Sequence, residues 1–171
     1  RVSFYGAAAT GIKIKIACFT QDPGRCGTRA VLAGVYLGIM TAFAASTAQL
    51  LDGYAPGWGK YAFGAIFAST LYIIIVLQGE LATGDMMFMT YGALHKKNTV
   101  VKGLLLVLFV TIFNLIGAVA ISWLISRTTM GQLVEVDGFL HDLLAAKLQK
   151  SSKTLFVEAI LANVVVNIAF M

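Results

Sequence analysis

The sequence has few charged residues, few histidines and few cysteines. Of its 171 residues, 12% are charged, and there are only two prolines, two cysteines and two histidines. Cys18 and Cys26 lack CxxC spacing and have no other cysteine to join, so the sequence indicates neither a disulfide framework nor a metal site. It also lacks a nucleophile–base pair and a glycine-rich phosphate loop. We therefore expect no enzymatic activity, no metal and no cofactor.

Apolar residues dominate the sequence instead. Hydrophobic residues make up 58% of the chain, and the mean hydropathy is +0.83. A soluble domain of this length leaves too much surface wet to hide so many apolar side chains. The 17 glycines are scattered through the apolar runs, which is typical of closely packed membrane helices. We interpret the chain as an all-α integral membrane protein embedded in a lipid bilayer.

Four apolar runs predict membrane spans. An N-terminal segment, residues 1–28, precedes them and is predicted to form a short helix over Ala7–Cys18 at the membrane surface. Gly34 and Gly38 in the first run have the spacing that lets a neighbouring backbone approach closely. A tight loop is expected over 52–60. The transmembrane domain, 29–171, has its spans at about 30–51, 61–94, 101–125 and 155–171.

The distribution of basic residues predicts the orientation. The N-terminal segment is basic, and residues 95–102 contain three lysines. Because cytoplasmic loops are enriched in lysine and arginine, we expect both regions to be cytoplasmic in a multi-pass protein of the inner or plasma membrane. The net charge of +5 is then explained by loop residues, and no nucleic-acid partner is expected.

The second apolar run is too long for one straight span. Its roughly 34 residues would extend about 51 Å as a helix, whereas the hydrocarbon core is about 30 Å thick. A β-branched stretch in its middle is followed by Gln78–Asp85, which holds two glycines and two carboxylates. We predict two short helices around an irregular loop, with Thr83 as the N-cap of the second helix and Asp85 at its positive end. A single tilted helix is the alternative.

A broken helix inside a membrane suggests a transport function. Non-helical backbone survives there only when protein or a water-filled cavity surrounds it. The start of a half-helix also directs its positive end and free N–H groups inward, where they can hold an anion.

At three places the chain resembles the formate/nitrite transporter family. The matching stretches are Gly79–Asp85, Phe113–Ala118, and Ile160–Asn163 with Val166. Together they cover the first four of the family's six spans. The resemblance implies a homopentamer with an aquaporin-like helical fold, one pore in each subunit, and a loop between the halves of the second transmembrane helix and of the fifth.

The resemblance also implies two apolar constrictions in the pore. Phe67 and Leu71 would lie in or beside the loop and narrow the cytoplasmic side. Leu81 would form the other constriction with Val166 from the fourth span. From the residues alone, all four are interpreted as ordinary helix-packing residues.

Polar positions between the constrictions follow from the same resemblance. Thr83 matches the threonine whose hydroxyl faces the family's central histidine, and Asn163 matches a pore-facing asparagine. Glu80 can alternatively pair with a loop lysine, and Asn114 and Asn163 can join helices by hydrogen bonds. The supporting positions are Glu80, Asp85, Asn114 and Lys147, the last falling near the family's lysine.

The chain departs from the family pattern in three respects. Ala82 replaces a common phenylalanine. Asp85 stands where asparagine, serine or threonine is usual, and a carboxylate beside an anion path is unfavourable unless it is solvated or caps a helix. The family's fifth and sixth spans, with the central histidine, would follow Met171. We therefore expect either part of a longer chain or an incomplete relative.

The favoured hypothesis is a channel or proton-coupled transporter for small monovalent anions of weak acids, such as formate, nitrite or hydrosulfide. A membrane redox subunit is disfavoured because no predicted span contains a histidine to bind haem. The remaining alternative is a non-transporting scaffold or assembly subunit, which would have no reason to keep a broken helix.

Overall fold

A computed structural model describes residues 4–132 and 138–169, and every regular element within them is a helix. The helices are α1 (Phe4–Gln21), α2 (Pro23–Tyr54), α3 (Gly59–Val76), α4 (Ala82–Leu94), α5 (Val100–Ser126), α6 (Thr129–Gln132), α7 (Phe139–Leu148) and α8 (Ser152–Ala169). This confirms the predicted all-α class. The last two residues of the predicted fourth span lie outside the described part of the chain.

Three helices, α2, α3 and α5, are long and apolar enough to cross a membrane. The number becomes four if α7 and α8, which are bent by 118° relative to each other, are counted as one span. Both counts refer to the described ranges and rest on length and composition alone. The exact positions of the four predicted spans in the bilayer stay predictions.

Helix α2 is longer than the predicted first span because a local cap starts it early. Asp22 accepts a hydrogen bond from the Arg25 N–H through Oδ1 at 3.0 Å, and Pro23 occupies the first helical position. Both features favour a helix start. The helix therefore begins at Pro23, seven residues before the expected position near Ala30.

The connection between α2 and α3 is shorter than the predicted loop over 52–60. Helix α2 continues to Tyr54, and α3 begins at Gly59. Asp52 closes the turn, since its Oδ1 accepts hydrogen bonds from the N–H groups of Gly57 (3.0 Å) and Gly59 (2.8 Å). The carboxylate thus serves a structural purpose at the end of α2.

Helix α1 is longer than the predicted Ala7–Cys18 and packs against the other helices. Ile12 is only 1% exposed and belongs to the same apolar cluster as Met89 and Leu106. A Cβ built on Gly11 would lie 2.7 Å from the Phe88 ring, so the glycine lets α1 approach α4 closely. Docking against α4 therefore defines one face of α1, while its position at the membrane surface stays a prediction.

Helices α2 and α5 pack against each other with their backbones in contact. A Cβ on Gly34 would overlap the carbonyl oxygen of Asn114, and a Cβ on Gly117 would overlap that of Val31. Only glycine permits such backbone contact. The close approach predicted for Gly34 is thereby confirmed.

The two helices of this pair run parallel. Gly27 lies against Phe113, and Gly38, further along α2, lies against Ile121, further along α5. In a multi-pass protein successive spans run in opposite directions, so the first and the third span run in the same direction. The parallel arrangement agrees with a single crossing by the interrupted second run, α3 with α4.

That second run is broken as predicted, between Val76 and Ala82. The N–H of Gly79 donates to the Ile74 carbonyl at 2.8 Å, and the N–H of Gln78 donates to that of Ile75 at 3.1 Å. Gln78 has φ of +54°, which completes a Schellman-type helix end. Helix α3 therefore ends at Val76, and the chain changes direction at Gln78.

The break begins later than the sequence indicated. Phe67 and Leu71 were expected in or beside the loop, but both lie inside α3, with Leu71 more than one turn before its end. The apolar β-branched stretch 73–76 remains helical. The hydrogen bonds that close the end of α3 are made to carbonyls of this stretch, so the helix ends only after it. Neither residue therefore lies in the loop itself; both lie in the helix that leads into it.

Candidate functional site

Four charged side chains meet where the second run is broken; we call them the charge cluster: Lys15, Arg29, Glu80 and Asp85. Glu80 lies in the break and Asp85 in the first turn of α4, with side chains only 4% and 0% exposed. Nζ of Lys15 lies 2.5 Å from Glu80 Oε2 and also pairs with Asp85 Oδ1. Nη2 of Arg29 lies 3.5 Å from Glu80 Oε1. Two buried negative charges are therefore matched by two positive ones.

Lys15 stays protonated in this environment. Burial alone would lower its pKa, since it disfavours the charged amine. The carboxylates of Asp85 and Glu80 outweigh burial and raise the pKa of Lys15 above its ordinary value. The amine of α1 is thus a permanent cation at neutral pH.

Arg29 ties the break to α2 through the backbone as well. Its Nε donates a 2.6 Å hydrogen bond to the Gln78 carbonyl, and its own carbonyl accepts one from the Glu80 N–H at 3.3 Å. Non-helical backbone in an apolar setting needs such partners for its polar groups. A neighbouring helix therefore supplies hydrogen-bond partners for the backbone of the break.

Asn114 of α5 completes this set of contacts. Its Nδ2 donates to the carbonyls of Ala30 (2.7 Å) and Glu80 (2.9 Å), and its Oδ1 accepts from the Ala82 N–H at 3.1 Å. One amide therefore connects α2, α5, the break and the start of α4. The interpretation of Asn114 as an interhelical hydrogen-bond residue is confirmed.

Thr83 does not cap α4, contrary to the sequence-based expectation. The N-cap position is Leu81, in extended backbone, and its side chain makes no cap hydrogen bond. The amide of Asn114 supplies the cap from another helix, so Thr83 lies inside the first turn. Its Oγ1 is buried and has no hydrogen-bond partner among residues 4–132 and 138–169. Asp85 does lie in the first turn, as predicted.

Helix α8 carries the other predicted polar position and packs against α4. Asn163 and Val166 are half-buried. Nδ2 of Asn163 donates to Ala159 in its own helix at 2.9 Å, whereas its Oδ1 is buried and lacks a partner within the described part of the chain. The fold thus brings the helices of Thr83 and Asn163 together.

The remaining predicted positions are scattered. Lys147 is exposed in the last turn of α7 and is not part of the charge cluster. Leu81 is half-buried at the start of α4, and the side chains of Phe67 and Leu71 are half-buried on α3. Their roles as constrictions stay predictions.

Sequence reasoning missed Lys15 and Arg29, which it grouped with ordinary loop charges. Lys15 lies between Ile14 and Ile16, but Lys13 has equally apolar neighbours and is exposed, so the sequence did not distinguish the two lysines. Arg29 directly precedes the predicted first span, where a charged residue is unremarkable. Only the fold shows that both reach the break.

The arrangement suits a small anion better than a cation. A helix start presents N–H groups that have no intrahelical partner and a partial positive charge. The unpartnered hydroxyl of Thr83 lies in that same first turn, and the nearby carboxylates are neutralised. A ligand with an acceptor oxygen would satisfy the Thr83 hydroxyl, whereas the Ala82 N–H is already bound to Asn114 and the Asp85 N–H to the Leu81 carbonyl.

Comparison with known proteins gives consistent matches. The family model described as formate/nitrite transporter matches residues 7–171. The "Uncharacterized transporter YwcJ" of Bacillus subtilis is 30% identical over 152 residues, covering 89% of this chain and 59% of that protein. The "Nitrite transporter NirC" of Escherichia coli is 30% identical over 141 residues (81% and 50%). The "Probable formate transporter" of Methanothermobacter thermautotrophicus is 33% identical over 102 residues (57% and 36%).

The chain thus spans about half the length of the curated relatives it matches. No solved structure gives a significant match.

Proposed function

This chain belongs to the formate/nitrite transporter family, and on that premise we propose that it carries small monovalent anions of weak acids across a membrane. Formate and nitrite are the first substrates to test, because relatives are named as transporters of these anions. The observation that carries the proposal is the buried hydroxyl of Thr83, which has no partner in the described ranges and lies in the first turn of α4.

An unpartnered buried hydroxyl requires an explanation. Nearly all buried polar groups in folded proteins have a hydrogen-bond partner, and leaving one without costs about 1–3 kcal/mol. A passing anion would accept a hydrogen bond from this hydroxyl. In the proposed pathway Thr83 therefore replaces part of the hydration that a bare anion loses in an apolar environment.

The charge cluster supports an anion pathway in spite of its two carboxylates. An isolated Asp85 would repel an anion near the start of α4. Lys15 forms an ion pair with Asp85. The negative charge of Glu80 is compensated by ion pairs with both Arg29 and Lys15. The cluster as a whole is neutral, so the positive end of α4 remains the nearest electrostatic feature in the pathway.

The remaining parts of the proposal follow from family membership. Phe67 and Leu71 narrow the cytoplasmic side of the pore, and Leu81 with Val166 forms the second constriction. Asn163 lines the path between them, and the exposed Lys147 attracts anions to its entrance. The assembly is a homopentamer of aquaporin-like subunits in the plasma membrane with a cytoplasmic N-terminus.

The test is formate and nitrite flux into proteoliposomes containing the protein in its native assembly. Thr83→Val keeps the side-chain shape and removes the hydroxyl, so flux should fall roughly 10-fold, the value of one hydrogen bond to a charged group. Thr83→Ser should restore most of it. The matched control is Thr111→Val on α5. Within the described part of the chain, its hydroxyl bonds the Val107 carbonyl of its own helix and no other group, so this variant should leave flux unchanged.

Assembly size is measured in parallel, because a variant that fails to assemble says nothing about the pathway. Unaltered flux in correctly assembled Thr83→Val would refute the role of this hydroxyl. Absence of flux in the unmodified protein, for both anions, would refute transport and favour the scaffold function.

A further inference from the structure

The charge cluster is not symmetric in its pairing. Within the described ranges, Glu80 pairs with both Lys15 and Arg29, whereas Asp85 pairs with Lys15 alone. Asp85 is also the more deeply buried carboxylate, with a side chain that is 0% exposed. Removing Lys15 would therefore leave Glu80 with a cation and Asp85 without one.

We propose that Lys15 and Asp85 are one positioning unit, in which helix α1 supplies the counter-charge for a carboxylate at the start of α4. The inference rests on the proposed function and deepens it, because it assigns α1 a place beside the anion pathway. Neither residue has to touch the anion. Lys15 is required because Asp85 is present.

Among residues 4–132 and 138–169, Lys15 is the only cation that pairs with Asp85. The positive end of α4 favours a carboxylate in its first turn, but this effect is small compared with the cost of removing a charge from water. A direct ion pair with Lys15 compensates for that cost. Without it, the buried negative charge would both weaken the local fold and repel an approaching anion.

Helix α1 is positioned to present this charge by contacts that do not depend on it. Gly11 fits against the Phe88 ring and Ile12 is buried in the core, and both share a face of α1 with Lys15. Nζ of Lys15 also lies 5.5 Å from the centre of the Phe88 ring. An α1 without Lys15 can therefore stay docked, provided that Asp85 is neutralised as well.

This reasoning predicts a specific pattern among three variants measured by formate flux. Lys15→Met should lower flux roughly 10-fold or more, chiefly by raising the half-saturating formate concentration, since an unpaired buried charge remains near the path. Asp85→Asn alone should keep flux within about threefold of the unmodified protein, because Glu80 still pairs with Lys15. The double variant Lys15→Met with Asp85→Asn should return to that same range.

Hydrogen exchange gives a second measurement that does not depend on transport. Lys15→Met should speed amide exchange in α1 and in the first turn of α4, roughly 10-fold or more, while the double variant should restore protection. Lys13→Met is the matched control, because Lys13 is an exposed lysine on the same helix. It should change neither flux nor exchange.

Three results would overturn the proposal. Unchanged exchange and flux in Lys15→Met would mean that the pair is dispensable. A double variant as impaired as Lys15→Met would mean that Lys15 acts on the anion itself. A loss of maximum rate with no change in half-saturation would indicate a purely structural role. If the unmodified protein carries no anion, the proposed function fails, and the exchange data alone decide whether Lys15 compensates Asp85.

Discussion

Replacing Asn114 by alanine should loosen the break more than any other single substitution on α5. The Ala82 N–H lies in the first turn of α4, where N–H groups have no intrahelical acceptor. Oδ1 of Asn114 accepts its hydrogen bond instead. The Glu80 carbonyl likewise accepts from the Asn114 side chain. Leaving these two buried groups unpaired costs about 1–3 kcal/mol each. The Ala30 carbonyl lies inside α2 and loses only an additional hydrogen bond.

The expected destabilisation is therefore about 2–6 kcal/mol at the break. Hydrogen exchange over residues 77–85 is the direct assay, and amides there should exchange at least about 10-fold faster. Thr111→Ala is the control, since it removes only a bond to the carbonyl of Val107, one turn earlier on α5, and should change stability by less than about 0.5 kcal/mol. Equal exchange in the two variants would refute the assignment of Asn114 as the cap of α4.

Two further predictions concern backbone geometry and helix packing. Gln78→Gly should raise the free energy of unfolding by roughly 0.5–1 kcal/mol, because Gln78 has a positive φ that glycine adopts without strain; Gln78→Ala, which keeps a Cβ, should give no gain in the same thermal melt. Gly34→Ala should lower the melting temperature, at a cost of about 1–3 kcal/mol, because the new Cβ would meet the Asn114 carbonyl. Gly64→Ala in α3 faces open space and should be neutral or slightly stabilising; similar losses in both glycine variants would contradict the close contact of α2 with α5.

The break was predictable from local information. A run too long for the bilayer, interrupted by Gly79, Glu80 and Gly84, does not suit one continuous helix, and the structure divides it there. Helix ends were less accurate where a nearby side chain moved them. Asp22 starts α2 early, and Asp52 shortens the following loop. Such caps depend on geometry that a run of hydropathy values does not contain.

The partners at the site were not predictable in the same way. Thr83 was a reasonable cap from its position in the sequence, yet the amide of Asn114, 32 residues beyond Ala82, takes that place. Lys15 meets Glu80 across 65 residues of sequence. The hydropathy pattern of a sequence gives neither the distance nor the orientation between separate helices. Lys15 was therefore counted among the cytoplasmic loop charges, although its amine pairs with two carboxylates.

The bonds of Asn114 can form only late in synthesis, because α5 is translated after the break and α4. The chain emerges from the ribosome with the break and α4 well before α5, so the Ala82 N–H and the Glu80 carbonyl at first have no Asn114 to bind. Until α5 arrives and packs along Gly34, these groups need water or a temporary partner in the insertion machinery. The second run therefore enters the membrane in an unfinished form, and its final shape is set from outside by a helix translated later.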